Sequence, residues 1–354
     1  MKVLLVGGTF SEDGGKRSSL IDKIAESVQK NFSVDDIVRV YNGGDLTDLT
    51  SCLSRVKTYD VVFWWANVSN ELPKNRNIKE INPKTILISS KRNDNEKYSF
   101  QELIQRSLEL KANLTVEFSK IDGIFKLMVF DPLGVVWYDG FDIDEMCKSM
   151  VDRLKFLVNV TRQGTVQIDE KPEVPNNEDF FSYVKDCAEI FHKKIHPGDH
   201  VQRFLGNSSF RCQRGFPSFR TDNYIFVSRR NVDKRFIDKD NFVATKLVDG
   251  KVYYCGENKP SVDTPVQLRL YEKLPNINFM VHSHCYAEDA LTTKTPVPCG
   301  AIEEVDEILN VIGDFNKDFY VVNLIGHGCI VMSSDVEKMR KVRFTERNVP
   351  EVLN

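Results

Sequence analysis

The first half of the chain alternates short apolar runs with stretches whose apolar residues recur at helical spacing. KVLLVGG (2–8), DIVRVYNGG (36–44), DVVFWWAN (60–67) and KTILISSK (84–91) read as strands. SSLIDKIAESVQKNF (18–32), LTDLTSCLSRVKTY (46–59) and YSFQELIQRSLELKAN (98–113) carry apolar residues three and four apart, as amphipathic helices do. Strands that alternate with helices predict a parallel sheet covered on both faces. The end of this half departs from that pattern. FKLMVFDPLGVVWYDGF (125–141) reads as a hairpin turned at Asp131-Pro132-Leu133-Gly134. A helix over 142–158 follows, with Asp142 or Asp144 near its cap.

No periodicity survives in RQGTVQIDEKPEVPNNE (162–178), which is polar and carries two prolines, so a linker is expected there. The predicted organisation is an α/β protein in two domains. Residues 1–161 form a Rossmann- or flavodoxin-like three-layer domain, and 179–345 form a second domain. The second domain opens on a helix, DFFSYVKDCAEIFHKKI (179–195), and short strands dominate up to about 284.

Composition narrows the function. Charged residues make up 28% and the formal net charge is −3, without the domain-wide basic surface of a nucleic-acid binder. No apolar run reaches the roughly 20 residues of a membrane span. The opening MKVLLVGGTF reads as a strand, not a signal peptide, so a cytoplasmic protein is expected. Eight cysteines without a CxxC pair fit reduced thiols.

Two stretches of the first domain carry candidate chemistry. VGGTFSEDGGKRSSLIDKI (6–24) joins strand to helix, where backbone N–H groups and a helix N-terminus favour anions, with Lys16, Arg17, Ser18 and Ser19 as added donors. It loosely resembles the phosphate loop of flavodoxin-like flavin- or nucleotide-binding domains, although it matches neither GxGxxG nor a P-loop. A long βα loop with ordinary capping is the other reading. Trp64 and Trp65 lie where such sheets meet ligands, as stacking platforms or as core aromatics.

The second domain holds the sharper signal. His282 and His284 follow the strand-like INFMV, and residues i and i+2 of a strand share a face. They read either as a metal-ligating pair or as two half-buried histidines. His327 follows another apolar run, between Gly326 and Gly328. Three histidines that leave one coordination position open are the pattern of a catalytic zinc site. Asp263 precedes a helix that has Pro265 at its start, and reads as a cap or as a proton-transferring acid.

Four segments in order, FLGNSSFR (204–211), KPSVDTPVQLRLY (259–271), VHSH (281–284) and GHGCIV (326–331), are similar to motifs of the class II aldolase/adducin family. That family includes fuculose- and rhamnulose-phosphate aldolases and ribulose-phosphate 4-epimerase. The resemblance spans roughly 178–345 and implies a class II aldolase-like α/β/α fold. It implies that His282, His284 and His327 hold a divalent metal, usually zinc and sometimes manganese. It implies Asp263 as the acid, and Asn207 and Ser261 on a substrate phosphate. Val262 replaces the second serine of the family's phosphate pair, and Ser228-Arg229 stands where the family has a Thr/Ser-Gly step. The family's late tyrosine acid has no counterpart after Tyr320, so Glu303 and Glu304 are candidate replacements or else first-turn helix acids.

The expected activity is that of a metal-dependent aldolase or epimerase. The substrate would be a small phosphorylated sugar or a hydroxy-ketone, and the reaction would pass through a metal-stabilised enediolate. The resemblance also implies a homo-oligomer, a tetramer in many relatives. Two alternatives stand beside it: a non-catalytic adducin-like scaffold, and a metal enzyme for a nucleotide-linked sugar presented by the N-terminal domain.

Overall fold

The computed structural model describes residues 1–31, 37–68, 78–121, 123–194, 204–211 and 224–353. They form two compact units, Met1–Asn159 with Pro350–Asn354, and Val160–Val349.

The first unit runs β1 (Lys2–Phe10), α1 (Ser19–Asn31), β2 (Ile37–Gly44), α2 (Leu46–Arg55), β3 (Val61–Val68), α3 (Ile78–Ile81), β4 (Thr85–Arg92), α4 (Phe100–Glu109), β5 (Leu114–Ile121), β6 (Ile124–Phe130), β7 (Val135–Gly140) and α5 (Ile143–Asn159). Strands β2-β1-β3-β4-β5 lie parallel in that spatial order, the doubly wound flavodoxin-like arrangement. The predicted hairpin β6–β7 adds an antiparallel edge. Asp142 Oδ1 accepts from the N–H groups of Asp144 and Glu145, so Asp142 is the cap of α5.

Strand alternation splits the apolar residues of β1 and β3 between two cores. Val3, Leu5, Phe63 and Trp65 pack toward α1 and α5, and Leu4, Val6, Val62 and Trp64 pack toward α2 and α3. Trp64 and Trp65 are therefore core aromatics, one on each face of the sheet.

The glycine-rich loop after β1 serves backbone packing. The N–H of Thr9 donates to Lys16 O, that of Gly15 to Gly44 O, and that of Ser18 to Asn42 Oδ1. A Cβ on Gly15 would lie 1.5 Å from Thr9 O. These donors are spent on the chain's own acceptors, and the glycines permit close approach of two backbone segments.

The second unit runs β8 (Thr165–Ile168), α6 (Glu178–Lys194), β9 (Asn207–Arg211), β10 (Ile225–Ser228), β11 (Phe242–Val248), β12 (Lys251–Cys255), α7 (Thr264–Lys273), β13 (Phe279–Ser283), β14 (Tyr286–Ala287), β15 (Leu291–Thr292), α8 (Glu303–Ile312), β16 (Phe319–Leu324), β17 (Gly328–Ser333), α9 (Val336–Met339) and β18 (Phe344–Thr345). The final strand, β19 (Glu351–Val352), belongs to the first unit and pairs with β7. The main sheet of the second unit has the order β15-β16-β17-β13-β9-β10-β11-β12-β8 and is largely antiparallel.

Segment 162–178 is not the structureless linker its composition predicts. Its residues 165–168 form β8, paired parallel to β12 from Thr165↔Val252 to Ile168↔Cys255. An edge strand with exposed faces is held by backbone pairing, which side-chain periodicity does not report.

One face of this sheet is covered by α6. Phe180 and Phe181 pack with Phe210, Phe226, Phe242 and Phe279. Each such buried ring is worth about 1.5–3 kcal/mol over leaving it exposed. The other face is covered by α7 and α8, against Met280, Val322, Ile330 and Met332. His282 shares the face of Met280 by alternation along β13, which turns it toward α7 and α8.

Candidate metal centre

Two paired strands bring the histidines together. β13 supplies His282, and His284 lies one residue beyond its end. His327 immediately precedes β17, which pairs with β13 through His282↔Ile330 and Ser283↔Cys329. Gly328 makes this approach feasible: its φ is +149°, and a Cβ there would lie 1.9 Å from Ser283 O. The ring centroids are 5.2 Å (His282–His284), 4.6 Å (His282–His327) and 5.0 Å (His284–His327) apart. All three residues are buried, and one nitrogen from each lies within 4.8 Å of the others.

Hydrogen bonds orient two of the rings. His282 Nδ1 is 2.9 Å from Cys329 O, so it donates there and leaves Nε2 as the acceptor nitrogen. His327 Nδ1 is 2.8 Å from Glu304 Oε1, with both side chains almost wholly buried. Its Nε2 faces Cys299 Sγ at 3.1 Å.

Asp263 stands at the start of α7 but makes no side-chain cap there. Its Oδ2 instead accepts from Asn207 Nδ2 at 2.7 Å, and Asn207 Oδ1 accepts from Gln267 Nε2. Asn207 pairs with His282 across β9 and β13, which sets this chain beside the histidines. Asp263 Oδ1 is buried without a hydrogen-bond partner.

The electrostatics disfavour protonation of two of the three rings and favour it on the third. Burial, then the charge of His327, lowers the His282 pKa to about 4. Burial, then His327 and His282, holds His284 well below its usual value. Burial also pulls His327 down, but Cys299 and Glu304 outweigh it and leave the ring well above its usual value. Burial raises Glu304, opposed by His327. The pocket thus admits positive charge at His327 Nε2 and resists it on the other two rings.

The donor set fits a divalent metal. In tetrahedral zinc sites ligand nitrogens lie roughly 3.3 Å apart, from bonds of about 2.0–2.1 Å, so modest side-chain rotation would bring these rings to that separation. His282 Nε2 is buried with no hydrogen-bond partner, an arrangement that otherwise costs about 1–3 kcal/mol. The carboxylate–histidine pair and the carbonyl–histidine pair are the outer-shell contacts that metal-ligating histidines make.

The other expected site residues fall in distinct places. Glu304 is the buried partner of His327, whereas Glu303 Oε1 accepts from the N–H of Thr161 and anchors the segment entering the unit. Ser228, Arg229 and Ser261 come together on adjacent segments, through the bridge Arg229↔Pro260 and the bond from Ser261 N–H to Ser228 O. Ser228 is fully buried, and its Oγ accepts from the N–H of Ser208. The Arg229 guanidinium donates to Asn258 Oδ1 at 3.0 Å and to Asp240 O at 3.4 Å. Sequence reasoning missed Gln267 and Cys299. Gln267 lies four residues after Asp263 on α7, a spacing that faces the same way. Cys299 sits in a Pro-Cys-Gly turn, the only signal that marked it.

Several solved structures are similar to parts of this chain. A DNA/pantothenate metabolism flavoprotein from Streptococcus pneumoniae matches at 12% identity and TM-score 0.33, over 44% of this chain and 99% of its own. The C-terminal domain of a coenzyme A biosynthesis bifunctional protein matches at 12% identity and TM-score 0.32, over 44% and 95%. An L-fuculose 1-phosphate aldolase matches at 15% identity and TM-score 0.32, over 45% and 74%. Residues 186–343 match the family described as Class II Aldolase and Adducin N-terminal domain, and the C-terminal part of this chain is a class II aldolase-like domain.

Proposed function

We propose that the second unit is a divalent-metal-dependent lyase or epimerase acting on a small phosphorylated sugar or hydroxy-ketone by a retro-aldol step. The observation that carries this reading is the convergence of three buried imidazoles beside an acid, Asp263, that is held at one oxygen and free at the other. When bound, the metal, zinc by its nitrogen donors, supplies a Lewis acid for the substrate's vicinal oxygens.

The protein does the rest. Cys329 O and Glu304 fix the tautomers of His282 and His327, so that each presents Nε2. Gln267 and Asn207 orient the Asp263 carboxylate. Its free Oδ1 takes the proton from the hydroxyl β to the substrate carbonyl as the C–C bond beside that carbonyl breaks. Return of the aldehyde fragment to its original face reverses the cleavage, and return to the other face inverts the hydroxyl carbon. We assign Asn207 to positioning Asp263, since its amide donates to Asp263 and accepts from Gln267. Ser261 and Arg229 are left to meet the substrate's anionic group.

The test combines metal analysis with a screen of sugar phosphates, using product analysis to separate cleavage from epimerisation. The wild-type chain should hold one divalent ion, and His284→Ala should lose both the ion and turnover. Full metal occupancy in His284→Ala would count against the ligand assignment. A wild-type chain that takes up no metal on reconstitution would point to an assembly domain instead.

A further inference from the structure

We propose that the thiol of Cys299 is a fourth protein ligand, which makes the resting centre a closed three-histidine, one-cysteine site. This rests on the metal reading above and goes beyond the three-histidine set. Cys299 Sγ lies 3.1 Å from His327 Nε2, the nitrogen left facing the cluster once Nδ1 is committed to Glu304. In a tetrahedral zinc site a nitrogen ligand and a sulfur ligand lie roughly 3.6 Å apart, from bonds of about 2.0–2.1 and 2.3 Å. The sulfur therefore stands within about half an ångström of a ligand's distance from that nitrogen, while the set of ligand atoms mutually within 4.8 Å comprises the three histidines alone, so the turn must shift to bring the sulfur to the other two rings. His282 Nε2, buried and without a partner, is an independent sign that a ligand belongs in the same pocket.

The backbone holds the thiol there from both sides. Residues 298–301 form a turn, closed by the bond from Ala301 N–H to Pro298 O at 3.1 Å, with Gly300 at φ +74°. A Cβ on Gly300 would lie 2.7 Å from Val262 Cγ1 and 2.9 Å from Val262 O, so the turn presses on the segment that carries Asp263. On its other side, Ala301 bridges to Arg162 and Ile302 N–H donates to Thr161 O. Cys299 is half-buried, unlike the other cysteines among the described residues, which are buried. Binding the metal releases the thiol proton to solvent, and the thiolate offsets one of its two charges. Substrate oxygens must then displace the sulfur or add a fifth ligand beside it.

Cobalt(II) reports this directly. The full chain, loaded with cobalt, should hold one ion and show a sulfur-to-cobalt charge-transfer band in the near ultraviolet. Cys299→Ser should keep the ion and lose the band. A cobalt-loaded wild type without the band, or a Cys299→Ser protein that retains it, would overturn the proposal and leave the metal reading standing. Failure of the wild type to bind cobalt would overturn both. Should the variant not fold, alkylation of the wild type decides: zinc should slow iodoacetamide modification of Cys299, read by peptide mass spectrometry. Unchanged modification with zinc bound would overturn the proposal.

Discussion

Glu304→Gln isolates how much of the metal affinity comes from outside the ligand set. The substitution keeps the shape of the side chain and removes its charge. In the native protein Glu304 Oε1 is 2.8 Å from His327 Nδ1, and the two side chains are 5% and 1% exposed, so solvent scarcely screens the pair. The carboxylate makes His327 a more basic ligand and fixes its orientation. A neutral amide can still accept from Nδ1–H, but with about half the strength of the charge-assisted bond. Loss of such an outer-shell partner weakens metal affinity about 10–100-fold, or about 1.4–2.7 kcal/mol. The zinc Kd of both proteins should be measured by chelator competition at fixed ionic strength, with melting curves to confirm that the variant is folded. The pH dependence gives a second readout. Glu304 helps raise the His327 pKa, so without it protons compete less for Nε2 and the deficit should narrow as pH falls. A folded Glu304→Gln protein with a Kd within twofold of wild type would refute the assigned role of the pair.

Two further outcomes follow from the same geometry. In metal-free protein, unfolded His282 takes a proton near pH 6.5, while the folded residue resists until about 4. Between those values the unfolded state binds more protons, so stability should fall as pH drops through that window, by up to about 3 kcal/mol from His282 alone. His327 works in the opposite sense: its raised pKa stabilises the fold below 6.5, and that contribution is lost as pH rises through the raised value. Urea denaturation of the wild type in a chelator should show this acid-side slope, and His282→Asn should flatten it; equal slopes would refute the assignment. Gly328→Ala places a Cβ 1.9 Å from Ser283 O at a φ of +149°, and should destabilise the second unit by about 3 kcal/mol or more in the same assay. A change below about 1 kcal/mol would show that the contact relaxes freely.

Local pattern alone determined the alternating first unit, its hairpin and the strand that carries His282. Period-2 alternation reports which side chains share a face, so the histidine pair was legible before any tertiary contact was known. The four ordered motifs likewise carried the class II aldolase-like character of the second domain. Tertiary structure alone decided the roles of groups whose alternatives are equal in sequence. Glu303 and Glu304 are adjacent acids in the first turn of one helix, yet point roughly 100° apart, and only the packing of α8 turned Glu304 inward to His327. Asp263 precedes a helix as a cap does, but Asn207, brought in by strand pairing, took its carboxylate away from the helix end. The glycine pairs of the first loop read either as an anion cradle or as an ordinary loop, and only the fold showed the close contacts they make between backbone segments. Cys299 reached His327 across 28 residues of chain, through a turn whose neighbours come from two distant segments. Such convergence depends on how elements pack, and side-chain periodicity carries no record of it.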